Sequence, residues 1–188
     1  MAGACPEPRA VRTCAFDTAI LGPTILSVSQ AHVPSHLMEC VFCRILAGKA
    51  EASFLFRDER VAAFMDISPV TPGHLLVIPI RHAVYLSELD PADGARVFDV
   101  AQRLAAALRE SGRTGGLKCE GVNLFLADGE QAGQEIPHVH LHVFPRFSGD
   151  GFSLKLPPGY GYHPERSELD RAAAAIRAGL AFSPNPAP

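Results

Sequence analysis

The pattern of apolar and polar residues along the chain predicts five β-strands and three helices. Residues 75–78 form an unbroken apolar run, which is typical of a strand buried on both faces. Between residues 97 and 108 apolar side chains recur at helical spacing, with Asp90 suited to cap that helix and Gly112 to follow its end. The predicted strands cover residues 54–57, 61–66, 74–80, 121–126 and 137–144, and the predicted helices cover residues 44–47, 86–111 and 167–180.

These elements indicate the fold class and the domain boundaries. Strands accompanied by one or two packed helices predict an α+β domain, with one long helix packed on an antiparallel sheet and a C-terminal helix. Residues 1–37 are rich in Pro, Ala, Ser and Thr without lasting periodicity, so we expect a disordered extension there. The folded domain is expected over residues 38–152. Residues 153–188 are expected to form the C-terminal helix, capped by Ser167, and a Pro-rich tail.

The composition of the chain mainly excludes classes of protein. The chain has 188 residues, 47% of them hydrophobic, and no apolar run approaches the roughly eighteen residues of a membrane span. Its formal charge of −3 does not indicate the positively charged surface that binding to nucleic acid requires. Five cysteines are an odd number for a disulfide framework, and the N-terminus lacks the apolar region of a secretory signal. We therefore expect a cytoplasmic protein without nucleic-acid or membrane partners.

Residues 138–144 read His-Val-His-Leu-His-Val-Phe and are the strongest chemical signal in the chain. In an extended strand the three imidazoles project from one face, roughly 6.5–7 Å apart at each two-residue step, while the aliphatic side chains face the core. Imidazole serves as a base, a nucleophile or a metal ligand near neutral pH. The glycine-containing loop 127–137 precedes this strand, and its backbone N–H groups form a candidate phosphate cradle. The two features together predict a functional site.

Cys40 and Cys43 form a Cys-x-x-Cys pair, for which three interpretations are open. The pair can supply half of a tetrahedral zinc site, act as a redox dithiol, or be two buried thiols without function. A redox pair usually opens a helix within a βαβ unit, and the predicted elements do not place one there. Zinc requires two further ligands. His82 and one of the strand histidines are candidates, and the spacing does not decide which.

The stretch 138–144 fits the signature His-φ-His-φ-His-φ-φ, where φ is apolar, and the chain resembles the histidine triad (HIT) family of nucleotide hydrolases and transferases. The resemblance extends over residues 38–152 and implies a HIT-like fold and a homodimer. The third triad residue is His142 rather than Gln, which is similar to the hydrolase branches. Three further motifs occur in the family's order: Cys-Val-Phe-Cys-Arg-Ile-Leu-Ala-Gly at 40–48, Phe-Met-Asp-Ile-Ser-Pro-Val-Thr-Pro-Gly-His-Leu-Leu-Val-Ile-Pro at 64–79, and Ala-Gly-Gln at 132–134.

The resemblance implies catalytic roles for individual residues. His140 would be the nucleophile that attacks the α-phosphorus and forms a covalent nucleotidyl-histidine, which fits the nucleophilicity of a neutral imidazole. His142 would bond a phosphate oxygen, and His74 would belong to the imidazole network behind the nucleophile. Gln134 and the backbone N–H groups of its loop, including Gly133, would help to bear the developing charge.

The same resemblance implies contacts for the nucleotide and for a metal. Asp66 lies where the family holds the ribose hydroxyls, and Phe42 and Ile67 lie where it sandwiches the base, which we expect to be a purine. A bacterial-type branch with Cys-x-x-Cys binds structural zinc, and this match implies no catalytic metal. The matching zinc ligands are Cys40, Cys43, His82 and His138.

Two residues depart from the family pattern and affect the expected substrate more than the reaction. Glu135 stands where many members have Ser or Thr, thought to help the leaving group depart. A carboxylate beside a bound phosphate is repelled unless it is protonated or turned away, and we expect Glu135 to face solvent. Ala127 stands where members often have Asn or Gln, which removes one polar contact to the phosphate or ribose.

Three functional hypotheses follow. The leading one is an enzyme that cleaves adenosine phosphoramidates or dinucleoside polyphosphates at the α-phosphate. The second is a non-catalytic nucleotide-binding regulatory module, which would bind nucleotide tightly without turnover. The third is a metalloenzyme in which strand histidines hold a catalytic metal, and it predicts that chelation abolishes activity reversibly without unfolding the protein.

Overall fold

A computed structural model describes residues 40–180 of the chain. The predicted extension over residues 1–37 lies outside this part. The strands are β1 (Phe54–Arg57), β2 (Val61–Met65), β3 (Leu75–Pro79), β4 (Gly121–Phe125) and β5 (Leu141–Arg146). The helices are α1 (Val41–Leu46), α2 (Pro91–Arg113) and α3 (Arg166–Ala178). All strand pairs are antiparallel, in the order β1-β2-β3-β5-β4. The predicted α+β class, with one long helix and a C-terminal helix, is confirmed.

The central strands β2 and β3 bury both faces of the sheet. Every residue of β3 is buried, as its unbroken apolar run predicts. Because successive side chains of a strand point to opposite faces, each strand contributes to two layers. One layer packs against α2 and contains Val61, Ala63, Leu75, Val77, Val97, Val100 and Ala101. The opposite layer packs around α1 and contains Ala62, Phe64, Leu76, Ile78, Cys40, Phe42 and Ile45.

Helix α2 is capped by Asp90 as predicted, but it begins at Pro91 rather than at residue 86 and extends past Gly112. The carboxylate of Asp90 accepts a hydrogen bond from the backbone N–H of Ala92, with Pro91 in the first turn. The glycine serves packing rather than termination, because a Cβ at Gly112 would lie 2.6 Å from the carbonyl oxygen of Cys119. The predicted residues 86–88 form a separate 3₁₀ turn instead of the start of this helix.

Strand β5 begins four residues later than predicted, at Leu141 rather than at residue 137. Its pairing with β3 ends where Leu141 faces Val77. Before that point the backbone N–H of Val139 donates to the carbonyl of Ala83, so the chain leaves the ladder there. The prediction that all three histidines lie in one strand is therefore wrong, and only His142 belongs to β5.

The C-terminal helix α3 stands apart from the buried layers. None of its residues is buried. The predicted cap Ser167 is wrong, because the helix begins at Arg166 and the N-cap is Glu165, whose backbone N–H donates to the carboxylate of Glu168 over 3.1 Å. Within residues 40–180, no helix combines the length and the apolar character that crossing a membrane requires.

Candidate active site

A cavity of about 760 Å³ opens on the α1 side of the sheet. It collects side chains from α1, β2, β3 and β5, which are far apart in the sequence and adjacent in the sheet. The predicted site residues that line it are His74, His140, His142, Phe42, Asp66, Ile67 and Gly133. The structure thus brings together all of the predicted catalytic residues and all but one of the predicted nucleotide contacts.

The ring of His140 is held in one tautomer by a backbone carbonyl. Its Nδ1 lies 2.7 Å from the carbonyl oxygen of His138. A carbonyl oxygen only accepts hydrogen bonds, so Nδ1 carries the proton and Nε2 carries the free lone pair. Only 4% of His140 is exposed, and its ring packs edge-on against that of Phe42, with centroids 5.3 Å apart. The geometry leaves Nε2 of His140 as the nucleophilic atom of this ring.

His74 and His142 form a directed chain of hydrogen bonds. The backbone N–H of Val70 donates to Nδ1 of His74 over 3.1 Å, so the proton of His74 is on Nε2. That Nε2 lies 2.9 Å from Nδ1 of His142, to which it donates. The proton of His142 is therefore on its Nε2. Since the rings of His140 and His142 are 4.8 Å apart, a lone pair and an N–H donor lie side by side.

Burial keeps the imidazoles of His74 and His142 uncharged at neutral pH. Burial is the largest cause of the change in His142, and together with the neighbouring His140 and His74, and against the pull of Asp66, it lowers the pKa of His142 to about 4. Burial also lowers the pKa of His74, again against the pull of Asp66. A neutral His142 still donates a hydrogen bond through its Nε2–H.

The depressed pKa of His142 makes stability depend on pH. Because its pKa falls from 6.5 in the unfolded chain to about 4 in the folded one, the unfolded state binds the extra proton between these values. The contribution of His142 to the free energy of unfolding is fully present above pH 6.5 and is lost as the pH falls toward 4. The slope is expected to be below the roughly 1.4 kcal/mol per pH unit of one full proton, since the ring is partly exposed. Urea denaturation between pH 7 and 5 measures it.

A matched pair of variants isolates this effect. His142→Asn is expected to flatten the decline, whereas His163→Asn, which changes an exposed histidine, is expected to leave it intact. Both variants keep the cysteine and histidine ligands considered below, so acid loss of a metal affects them equally. An unchanged slope in His142→Asn would show that another group causes the decline.

The predicted nucleotide contacts lie at the wall and rim of the cavity. The carboxylate of Asp66 accepts the backbone N–H of Ser68 over 2.8 Å and lies 3.6 Å from Nδ1 of His74. Phe42 is buried, whereas Ile67 is 93% exposed. A large apolar side chain left in solvent at a cavity rim is able to cover the face of a flat ligand. Asp66, His74 and His142 come close enough for a metal, but both nitrogens of His74 already have protein partners.

The side chain of Gln134 does not reach the cavity, contrary to the role that the resemblance implied. Its Oε1 accepts the backbone N–H of Gly129 over 2.7 Å, and its Nε2 donates to the carbonyl of Val84 over 2.8 Å. These bonds fix the loop whose backbone reaches the cavity at Gly133, where φ is +89°. Gln134 therefore shapes the loop, and the cavity wall is formed by its neighbours.

Sequence reasoning missed one wall of the cavity, formed by residues 152–155. Arg146 holds this segment: its guanidinium donates to both carboxylate oxygens of Asp150 and, over 2.8 Å, to the carbonyl of Phe152. The guanidinium also lies 4.6 Å from the centroid of the Phe152 ring. Hydrogen bonds from Arg146 hold the pKa of Asp150 well below its usual range. An Arg and an Asp four residues apart after a strand are the only sequence signal for it.

Breaking the ion pair between Arg146 and Asp150 is expected to weaken nucleotide binding more than it slows turnover. Asp150→Asn removes the charge that orients Arg146, so the wall at Phe152 loses its anchor. We expect KM for a nucleotide substrate to rise several-fold, kcat to change little and Tm to fall. Arg103→Gln is the control, because it breaks an exposed pair on α2 away from the cavity. Equal KM values in Asp150→Asn and the parent would contradict the anchoring role.

Cys40, Cys43, His82 and His138 form a second cluster, beside the cavity. Their ligand atoms all lie within 4.8 Å of one another. Sγ of Cys40 is 3.6 Å from Nδ1 of His138, and Sγ of Cys43 is 3.3 Å from Nδ1 of His82. Zinc–sulfur and zinc–nitrogen bonds at tetrahedral angles place such atoms about 3.6 Å apart. Two thiols and two imidazoles are also a common donor set for structural zinc, so the residues fit this metal.

His138 is oriented for a metal by its other nitrogen. Its Nε2 donates to the carbonyl of Pro79 over 3.0 Å, so Nδ1 presents a lone pair to the two sulfurs. Burial, with the charge of Cys40 added, raises the pKa of the Cys43 thiol to about 12. A divalent cation reverses that tendency because it attracts thiolates. No ligand position would be left for a substrate if all four residues bound one metal ion, which is the coordination typical of structural zinc.

The sheet, the paired imidazoles and the flanking loop are those of a histidine triad nucleotide-binding fold. The chain belongs to the HIT family: the sequence profile of the HIT domain matches residues 47–149. The protein hit of Bacillus subtilis is 36% identical over 146 residues, which are 77% of this chain and 96% of that protein. Family membership supports a nucleotide-binding hydrolase or transferase in general.

Solved structures agree with this assignment. A HIT family protein from Bacillus anthracis has a TM-score of 0.67 and 34% identity, with 76% of this chain and 97% of that chain covered. A zinc-bound histidine triad family protein from Mycobacterium smegmatis has a TM-score of 0.57 and 39% identity, with 76% and 99% covered. The predicted family and fold are thereby confirmed.

Proposed function

We propose that the protein is a nucleotidyl hydrolase that cleaves at the α-phosphate through a covalent nucleotidyl-histidine on His140. One observation carries this proposal: the carbonyl of His138 leaves the lone pair of His140 on Nε2, beside the Nε2–H donor of His142. A nucleophile adjacent to a neutral donor suits attack on a phosphorus whose oxygens gain charge. Family membership in the HIT group supports the same reaction class.

The reaction balances as two displacements. In the first, Nε2 of His140 attacks the α-phosphorus and a phosphorus–nitrogen bond to histidine forms. The bond to the leaving group breaks, and its electron pair departs with that group. In the second, water attacks the phosphorus, the histidine–phosphorus bond breaks and its electron pair returns to Nε2. One water is consumed, the nucleoside monophosphate is released and no atom is oxidised or reduced.

The remaining lining residues are proposed to hold the nucleotide. Asp66 would accept hydrogen bonds from the ribose hydroxyls, and the base would lie between buried Phe42 and exposed Ile67, all three of which line the cavity. The backbone of the loop at Gly133 would face the phosphate, with Gln134 acting through that loop. His74 is proposed to keep the proton of His142 on Nε2 through their hydrogen bond.

Zinc is proposed at Cys40, Cys43, His82 and His138. The four ligand atoms and the zinc-bound relative from Mycobacterium smegmatis support this. When bound, the metal would link three segments, since Cys40 and Cys43 lie at α1, His82 follows β3 and His138 precedes β5. The homodimer, the cytoplasmic location and the boundaries 38–152 stay predictions from the sequence.

The test measures by chromatography whether the full chain releases AMP from adenosine 5′-phosphoramidate. Turnover well above the uncatalysed rate supports the hydrolase. The regulatory-module hypothesis predicts the opposite pattern, which is AMP binding measurable by calorimetry with no product over hours. The same assay with diadenosine tetraphosphate covers the other expected substrate class. No product from either compound would overturn the proposed function.

A further inference from the structure

The charges around the cavity are mostly negative, although the expected substrate contains phosphate. Four charged side chains line it, the carboxylates of Glu51, Asp66 and Glu135 and the ammonium group of Lys155. Within the part of the chain that the structure describes, no arginine lines the cavity. The buried imidazoles of His74 and His142 add no positive charge at neutral pH. A ligand with several phosphates would therefore meet net repulsion.

The three carboxylates lie on two sides of the cavity, with Glu135 apart from the other two. Asp66 and Glu51 also border a neighbouring shallow cavity, together with Ile45 and Ile67. That is the side on which the base is proposed to lie. Glu135 does not border it and instead follows Gly133 in the loop that leads to the triad. Glu135 is thus the carboxylate on the side of the reacting phosphorus, away from the nucleoside.

The carboxylate of Glu135 is available to a ligand. Its side chain is exposed and also lines the cavity, and among residues 40–180 no hydrogen bond or ion pair engages it. The lining residues nearest in the sequence, Gly133 and Ile136, carry no charge that would neutralise it. An unpaired carboxylate would attract a positively charged group in this part of the cavity.

We propose that Glu135 makes the enzyme selective for nucleoside phosphoramidates whose leaving amine bears a second, positively charged nitrogen. The proposal rests on the hydrolase function proposed above and names its substrate class. The lining charges and the free carboxylate carry it: an ammonium group on the leaving amine pairs with Glu135, whereas the extra phosphates of a dinucleoside polyphosphate meet three carboxylates and a single lysine.

The bond changes are those of the two displacements. The phosphorus–nitrogen bond of the substrate breaks, and its electron pair stays on the departing amine. Over both steps one water provides a hydroxyl group to phosphorus and a proton to that amine. The second nitrogen of the leaving group is not altered. Glu135 acts on it by charge alone and is a specificity residue, not a catalytic one.

The experiment compares three adenosine 5′-phosphoramidates of similar size. Their amines are 1,2-diaminoethane, propylamine and β-alanine, so the leaving group carries a positive charge, no charge or a negative charge. We measure kcat/KM for AMP release at low salt. The parent protein is expected to prefer the cationic compound over the neutral one by about fivefold, as one partly screened ion pair allows, and to disfavour the anionic one.

Two variants separate a local effect from net charge. Glu135→Gln is expected to bring the three kcat/KM values within about twofold of one another and to improve cleavage of diadenosine tetraphosphate. Glu59→Gln removes the same charge at an exposed position in the turn between β1 and β2, outside the cavity lining, and is expected to keep the parent's order.

The outcomes are distinguishable. A cationic preference that persists unchanged in Glu135→Gln would overturn the assignment to this residue, as would equal values for all three compounds in the parent. Either of those results leaves the hydrolase function standing. If none of the three amidates and no dinucleoside polyphosphate is cleaved, the proposed function itself fails and the selectivity proposal fails with it.

Discussion

Replacing His140 by alanine is expected to lower the rate of AMP release by roughly 10⁴- to 10⁶-fold and to abolish the covalent intermediate. In the structure the ring is buried, and its Nδ1 proton is bonded to the carbonyl of His138, so Nε2 alone is available to attack phosphorus. Alanine removes the nucleophile, and water held in the same place has no comparable basicity. His142 does not replace it, because the proton of that ring is on the Nε2 that would have to attack.

Intact-protein mass spectrometry after rapid quenching measures this effect. The parent chain is expected to show a transient gain in mass equal to one adenylyl group, and His140→Ala none. His163→Ala is the matched control, since it removes an exposed histidine outside the cavity and is expected to form the adduct normally. An adduct of normal size and lifetime in His140→Ala would show that another residue is the nucleophile. Turnover without any adduct in the parent would point to direct attack by water.

Replacing Cys40 by serine is expected to remove bound zinc and to destabilise the whole domain. Cys40 is 3% exposed and belongs to the apolar layer around α1, and its sulfur lies 3.6 Å from Nδ1 of His138. Apparent binding energies of structural zinc are about 10–16 kcal/mol in small peptides, and part of that energy would be lost from folding. We expect Tm to fall by roughly 10 °C, and the thiols and imidazoles of the cluster to be left without their shared partner.

Metal analysis by mass spectrometry and thermal denaturation on the same samples measure both effects. The parent is expected to carry one zinc per chain. Cys119→Ser is the control, because that half-buried thiol bonds the carbonyl of Gly121 and lies outside the cluster. Full zinc content and an unchanged Tm in Cys40→Ser would contradict a structural site. If chelation instead abolishes activity reversibly while Tm stays constant, the metal is catalytic and the metalloenzyme hypothesis applies.

The two predictions converge on the short segment before β5. His138 supplies a carbonyl to His140 and a ring nitrogen to the proposed zinc site. Loss of the metal would therefore disturb the tautomer of the nucleophile as well as the fold. Comparing the adduct yield of Cys40→Ser at a temperature where it stays folded with that of the parent tests this link, and equal yields would separate the two sites.

Much of the fold was predictable from local patterns in the sequence. The apolar runs of β2 and β3 and the helical spacing in α2 each reflect which side chains a single element must bury, and this is a local property. The triad stretch and the Cys-x-x-Cys pair were recognisable for a similar reason, because neighbouring residues carry the chemistry. The sequence by itself thus determined the class of the fold, its family and the histidines and nucleotide contacts of the cavity apart from Gln134.

Only the tertiary structure decided how distant residues meet. Cys40 and His138 are 98 residues apart, and the strand order that brings them together depends on long-range pairing that no local pattern encodes. The tertiary structure also decides the late start of β5 and the backbone bonds that turn Gln134 away from the cavity. It decides as well the ion pair between Arg146 and Asp150, which holds one wall of the cavity in place. Each of these depends on where a backbone or side-chain group finds its hydrogen-bond partner once the sheet has formed. That partner is set by the register of the strands rather than by spacing along the chain.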